Sequence, residues 1–317
     1  MEQAPFFADV ADGPEGGQAV WAKASDEVRI RVGWWPAQGA AKGTLLIFPG
    51  RTEYIEKYGR DARVLTDAGY TVLAVDWRGQ GLADRLIDDE RIGHVDEFSD
   101  YQRDVAAVMS VAEAAGLPRP WHMLGHSMGG CIGLRAAMEG LDVSSVIFSA
   151  PMWGIRLNML LRPVAVTLST ISMTFGKGSA PAPGVSAEAY PLANDFAENK
   201  LTADRDFYDY MRHQVQTHEG LKLGGPSMRW LNLALSETRA LAARPAPDYP
   251  CLTLLGEAEA IVDPTRILTR MKDWPGGELM MLADARHEVL MEVPATRNAI
   301  FERLLPFMDA HGKAKAA

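Results

Sequence analysis

The stretch Trp121-His122-Met123-Leu124-Gly125-His126-Ser127-Met128-Gly129-Gly130 constrains the fold most tightly, because a short apolar run breaks there into Gly-x-Ser-x-Gly and continues with helix-like spacing. That order predicts a buried strand turning sharply into a helix at Ser127. Such a turn would hold Ser127 in a strained backbone conformation, its hydroxyl exposed above the sheet edge. Gly125 and Gly129 then become steric requirements, since a Cβ two residues to either side would crowd the neighbouring strand or the helix start. Ser127 is therefore a nucleophile candidate. The pattern alone also suits an ordinary glycine-rich turn, so the flanking elements must decide.

Those elements alternate. Short apolar runs at 44–48, 71–75, 121–124, 143–148, 251–255 and 278–282 read as buried parallel strands, preceded by an alternating lead-in at 28–32. Residues 1–24 read as irregular. Segments 53–68, 98–115, 128–139, 264–272 and 295–310 carry apolar residues at helical spacing, and Asp263-Pro264 supplies a cap followed by a first-turn proline. Strand alternating with helix predicts a doubly wound α/β sheet. The alternation lapses after 150, where helical pieces at 157–172, 204–218 and 227–241 surround a Gly/Pro-rich stretch. This divides the chain into a first core part (25–150), a helical cap over the carboxyl edge of the sheet (151–245) and a second core part (246–312). A merely structural helical subdomain is the plainer reading of the insertion.

Composition removes several functions. The 317 residues carry a net charge of −9 and no basic cluster, which argues against a nucleic-acid partner. Two cysteines, Cys131 and Cys251, sit in separate apolar segments, as expected of reduced, packed thiols and a cytoplasmic setting. No secretory signal and no transmembrane segment is predicted. His122 and His126 stand four apart on a strand rather than a helix, and His287-Glu288 lacks the second histidine of a His-Glu-x-x-His site, so no metal is expected. No phosphate-cradling glycine loop appears and no cofactor is expected; Asp76-Trp77-Arg78-Gly79 reads as a tight structural turn.

A serine hydroxyl needs a histidine base and a carboxylate behind it. Of seven histidines, His287 lies just beyond the strand at 278–282, whereas His311 sits in the terminal tail. The loop after 251–255 offers three carboxylates, Glu257, Glu259 and Asp263. Glu259 is preferred, because a side chain three residues past Gly256 can point across the strand ends, while Asp263 is better employed capping the next helix. Two N–H donors should face the developing oxyanion: the backbone of Met128 at the helix start and that of Arg51 in Pro49-Gly50-Arg51-Thr52, if Gly50 permits the turn. The Arg51 side chain could attract an anionic substrate group, although a solvated arginine or an ordinary ion pair is the plainer expectation.

Together, Phe48-Pro49-Gly50-Arg51, the segment Gly69 to Gly81, the Gly125–Gly130 turn, Gly256 to Pro264 and His287 to Glu292 resemble the α/β-hydrolases of the monoacylglycerol lipase and lysophospholipase group, the serine aminopeptidase S33-like hydrolases. The resemblance covers most of residues 44–305. It implies a mostly parallel central sheet flanked by helices, with a helical cap inserted after the sixth strand. The family's nucleophile falls on Ser127, its histidine on His287 and its acid, normally aspartate, on Glu259. Pro49 and Gln80 stand where many relatives have histidine. The expected reaction is ester hydrolysis through an acyl-Ser127 intermediate. A lysophospholipid or monoacylglycerol is the first substrate class, with transient contact to lipid aggregates; the oligomeric state is left open. Two other readings stand beside it. One is cleavage of an aminoacyl amide, for which Glu198, Asp204, Asp206 or Asp209 would hold the ammonium group. The other is a non-catalytic ligand-binding protein on the same fold.

Overall fold

The computed structural model describes residues 1–156 and 162–312, without the side chains of 162–166. The start of the predicted helix at 157–172 therefore lies partly outside the described residues. Nine strands form one sheet: β1 Glu2–Ala4, β2 Gln18–Lys23, β3 Arg29–Trp35, β4 Gly43–Phe48, β5 Tyr70–Asp76, β6 Trp121–His126, β7 Ser145–Ser149, β8 Cys251–Gly256 and β9 Glu278–Leu282. Their order is β1-β2-β3-β5-β4-β6-β7-β8-β9. Pairing is antiparallel from β1 to β5 through β3, and parallel from β5 through β4 to β9.

The helices are α1 Ala8–Ala11, α2 Gly59–Asp67, α3 Tyr101–Ala114, α4 Met128–Met138, α5 Arg162–Thr174, α6 Tyr190–Ala193, α7 Arg205–Thr217, α8 Met228–Ala242, α9 Pro264–Lys272 and α10 Pro294–Ala310. The central strands are apolar on both faces because each face is covered. Along β4, Leu45 and Ile47 join the core that holds Leu65 of α2 and Ile300 and Leu304 of α10, while Leu46 and Phe48 join Val108 of α3 and Ile132 of α4 on the other side. Every one of these side chains is fully or almost fully buried, each worth roughly 1.5–3 kcal/mol relative to exposure.

The N-terminal 24 residues correct the sequence expectation. They hold β1, α1 and β2, and they extend the sheet through antiparallel pairs such as Val20 with Val32. With these strands counted, the helical insertion follows the seventh strand in chain order. Helices α5 to α8 lie between β7 and β8. Two of them start with side-chain caps: Asp204 accepts from Phe207 N at 2.9 Å, and Ser227 from Trp230 N at 3.1 Å. The turn after β5 is structural, with Arg78 held by Asp104 and Asp26. No described helix is long and apolar enough to cross a membrane.

Candidate active site

Strand β6 passes into helix α4 at Ser127, whose φ of 48° and ψ of −117° lie in a region costing about 1–3 kcal/mol for a residue with a Cβ. Hydrogen bonds hold this conformation. Ser127 N donates to Ser149 O at 3.0 Å, and Ser127 O accepts from Met152 N at 2.8 Å and Gly130 N at 2.9 Å. The flanking glycines behave as their spacing demands. A Cβ on Gly125 would come within 2.8 Å of Gly129 O, and one on Gly129 would overlap Phe48 O and sit 2.5 Å from Pro49 O. Glycine thus lets α4 start directly against the end of β4.

His287 reaches the same place from the loop after β9. Its Nδ1 lies 2.7 Å from Glu259 Oε2, and both side chains are nearly inaccessible. The other Glu259 oxygen accepts from Ile261 N at 2.6 Å and Val262 N at 3.1 Å. Burial alone would raise the Glu259 pKa, but the facing imidazole and these amide donors outweigh it and hold the carboxyl below its ordinary value. Asp263 does what its position before Pro264 suggested, accepting from Thr265 N at 3.0 Å as the cap of α9. Glu257 is exposed. Of the three carboxylates, then, only Glu259 meets the histidine.

Ser127 and His287 line one cavity together with Arg51, Tyr54, Tyr190, Met211, Val215, Leu223 and Ile261. Arg51 lines this cavity and Met128 follows Ser127 directly at the start of α4; among the described residues neither main-chain N–H donates to a main-chain acceptor outside a helix. The loop carrying Arg51 is pinned from several sides. Gly50 N donates to Glu53 Oε2 at 2.5 Å, Gln80 Nε2 donates to Gly50 O at 2.8 Å, and Trp77 Nε1 donates to Pro49 O at 3.0 Å. The left-handed residue in this loop is Thr52, with φ of 68°, rather than Gly50. Gln80 thus supports the loop through its amide.

Sequence reasoning missed a buried charge cluster behind the histidine. Lys57 Nζ lies 2.6 Å from both Glu53 Oε1 and Glu288 Oε1. His126 Nε2 sits 3.2 Å from Glu288 Oε2 and 3.4 Å from Glu53 Oε1, while its Nδ1 donates to Ser149 O at 3.0 Å. Burial would lower the His126 pKa, but the two carboxylates outweigh it and raise it; burial likewise opposes the Lys57 charge, and the same pair restores it. Glu53, His126 and Glu288 have the composition and spacing of a metal site. The Lys57 ammonium already bridges both carboxylates, however, and repels a second cation, so the donor set does not suit a metal. The signal in the sequence was Glu53 and Lys57 four residues apart, a spacing that equally describes a solvated helix face.

The insertion reaches the histidine loop directly, because Glu288 N donates to Leu201 O at 2.7 Å and Ala203 N donates to Glu292 at 3.0 Å. The four acids considered for ammonium binding lie elsewhere. Glu198 is exposed, Asp204 caps α7, Asp206 pairs with Arg60 and Asp209 with Arg205; none lines the Ser127 cavity.

Comparison with known proteins identifies the family and the fold. Residues 39–294 match the family model described as "Serine aminopeptidase, S33". Lysophospholipase L2 of Escherichia coli (strain K12) is 30% identical over 309 residues, covering 90% of this chain and 86% of that protein. A monoglyceride lipase of Saccharomyces cerevisiae is 24% identical, covering 89% and 90%. The crystal structure of a soluble variant of that yeast lipase superposes with a TM-score of 0.72 at 22% identity, over 92% of this chain and 95% of the other, which establishes the shared fold. With its strand-to-helix turn at Ser127, its mostly parallel sheet and this match over most of its length, the chain belongs to the serine aminopeptidase S33 family of α/β-hydrolases.

Proposed function

We propose that this ester hydrolase acts on single-chain lipids, a lysophospholipid first and a monoacylglycerol second, through an acyl-Ser127 intermediate. The observation that carries the reading is the 2.7 Å Glu259–His287 contact beside the strained serine, in one cavity with apolar walls. His287 takes the proton from the Ser127 hydroxyl as its oxygen adds to the ester carbonyl. The resulting oxyanion is held between the N–H groups of Arg51 and Met128. His287 then gives the proton to the departing alcohol, and repeats the cycle with water to release the fatty acid. Glu259 keeps the Nδ1 proton in place and supports the imidazolium.

The apolar side of the cavity, Met211, Val215, Leu223 and Ile261, suits an acyl chain. Residues 151–245 serve as the cap that supplies Met211, Val215 and Leu223. Leu168, Ile171 and Phe175, exposed on and just after α5, are where a lipid aggregate would touch the cap. The names of the lysophospholipase and monoglyceride lipase relatives support the same substrate class. Both cysteines are buried and unpaired, and burial pushes the Cys251 thiol up to about 12, in keeping with a cytoplasmic setting.

The test is a kinetic comparison of lysophosphatidylcholine, a monoacylglycerol of the same chain length and an aminoacyl amide, with Ser127→Ala as control. Ester turnover with ping-pong kinetics is expected. Preference for the amide would replace the lipid reading with the aminopeptidase one.

A further inference from the structure

Beneath the ester chemistry lies a cation with no counter-ion among the described residues. Arg51 lines the Ser127 cavity and also a second cavity of about 330 Å³, formed with Thr52, Ser186, Glu188, Asn194 and Gly224. Among the described residues its guanidinium donates one hydrogen bond, from Nη1 to Gly224 O at 2.8 Å, and it lies 5.7 Å from the centre of the Trp230 ring. Among the described residues no carboxylate comes within 4 Å of it.

Most other enclosed arginines differ; Arg270, whose Nη2 bonds two main-chain carbonyls and, among the described residues, no acid, resembles it most. Arg31 is held by Glu56 and Asp76, Arg78 by Asp104 and Asp26, and Arg297 by Asp61. Arg85, which also lacks an acid, spreads its nitrogens over four main-chain carbonyls. A guanidinium has five N–H donors, and on the half-buried Arg51 only Nη1 has a protein acceptor among the described residues, which leaves the others for a ligand. Burial lowers the Arg51 pKa to about 10, which still leaves it charged at neutral pH.

We propose that Arg51 binds the phosphate of a glycerophospholipid headgroup, and that the second cavity, with Glu188 at its rim, receives the headgroup alcohol. The proposal rests on the ester-hydrolase reading and names its substrate. One residue then serves both ends of the glycerol. The Arg51 backbone N–H faces the acyl carbonyl, and its three methylenes separate that amide from the guanidinium much as the glycerol carbons separate carbonyl from phosphate. A phosphodiester offers the planar fork two acceptor oxygens and one negative charge, which a neutral monoacylglycerol does not. Glu188, an exposed carboxylate lining the second cavity, matches the ammonium of choline or ethanolamine.

Two measurements on the full-length protein decide the matter. In the first, sn-glycero-3-phosphocholine and glycerol compete with p-nitrophenyl butyrate. The phosphodiester should inhibit the wild type about tenfold or more better than glycerol, and Arg51→Ala should remove that difference. In the second, the ratio of kcat/KM for lysophosphatidylcholine over a monoacylglycerol of equal chain length should fall about 100-fold in Arg51→Ala and about tenfold in Arg51→Lys. Glu188→Gln, at an exposed position, should lower the preference for choline over glycerol headgroups about threefold.

Equal inhibition by phosphodiester and glycerol in the wild type, or a ratio unmoved by Arg51→Ala, overturns the subsite. Should the wild type cleave the butyrate but neither lipid, the lipid reading fails, and the inhibition arm still decides the phosphate site.

Discussion

Replacing Glu259 by glutamine tests the histidine's support with little change of shape. In the native protein one carboxylate oxygen accepts from Ile261 N at 2.6 Å and Val262 N at 3.1 Å, and the other faces His287 Nδ1 at 2.7 Å. Glutamine has only one oxygen. Left on the two main-chain donors, it turns the NH2 group toward His287; turned the other way, it leaves two buried amides without an acceptor, each costing about 1–3 kcal/mol. The first orientation therefore wins. It forces Nδ1 to accept and moves the imidazole proton to Nε2, the nitrogen that must take the proton from Ser127. We expect kcat to fall about 10⁴-fold, equivalent to about 5 kcal/mol of activation free energy, with little change in KM. Steady-state hydrolysis of p-nitrophenyl butyrate measures this, alongside thermal melting to show that the fold is retained. Asp263→Asn is the control, because asparagine caps a helix as well as aspartate does. A Glu259→Gln enzyme within tenfold of the wild type, with Asp263→Asn losing orders of magnitude, would refute the assignment.

Other changes probe the scaffold. Gly129→Ala drives a methyl into the Phe48 and Pro49 carbonyls, so it should cost about 1–3 kcal/mol in denaturant and displace the Arg51 loop, lowering turnover; Gly133→Ala meets the flexible end of the Met123 side chain and touches the Phe48 ring only at van der Waals distance, and should be much milder. Lys57→Met leaves Glu53 and Glu288 buried together without their ammonium, and denaturant titration should show a loss of about 3–5 kcal/mol; a loss under about 1 would mean that the cluster is better solvated than its burial indicates. His126 has a raised folded pKa, so its stabilisation is complete below about 6.5 and disappears as pH rises through the folded value. The stability gap between wild type and His126→Gln should accordingly be widest near about pH 6 and narrow toward about pH 9; a gap that widens with pH would reverse the sign of this argument.

Most of the architecture was legible because the central strands advertise themselves. Runs such as Leu45 to Phe48 and Val72 to Val75 are apolar on both faces, and Gly-x-Ser-x-Gly carries its own steric reasons. Strands β1 and β2 were not legible. Glu2–Ala4 is three largely exposed residues, and Gln18–Lys23 alternates weakly, so β2 becomes a strand by pairing with β3, and β1 by pairing with β2, rather than by their own composition. At the site, chain order and loop reach pointed to Ser127, His287 and Glu259, of which the structure puts Glu259 against His287 and Ser127 in one cavity with His287. The Glu53–Lys57–Glu288–His126 cluster was not legible, since charges from three separate segments meet only after folding. The left-handed Thr52 was not legible either: the Glu53 carboxylate bonded to Gly50 N closes the turn around it.

The account stands or falls on the reactivity of one hydroxyl. Treatment of the folded protein with a fluorophosphonate, followed by peptide mass mapping, should give one adduct per chain, located on Ser127, and none in Ser127→Ala. An intact protein that stays unlabelled, or an esterase activity that persists in Ser127→Ala, would contradict it.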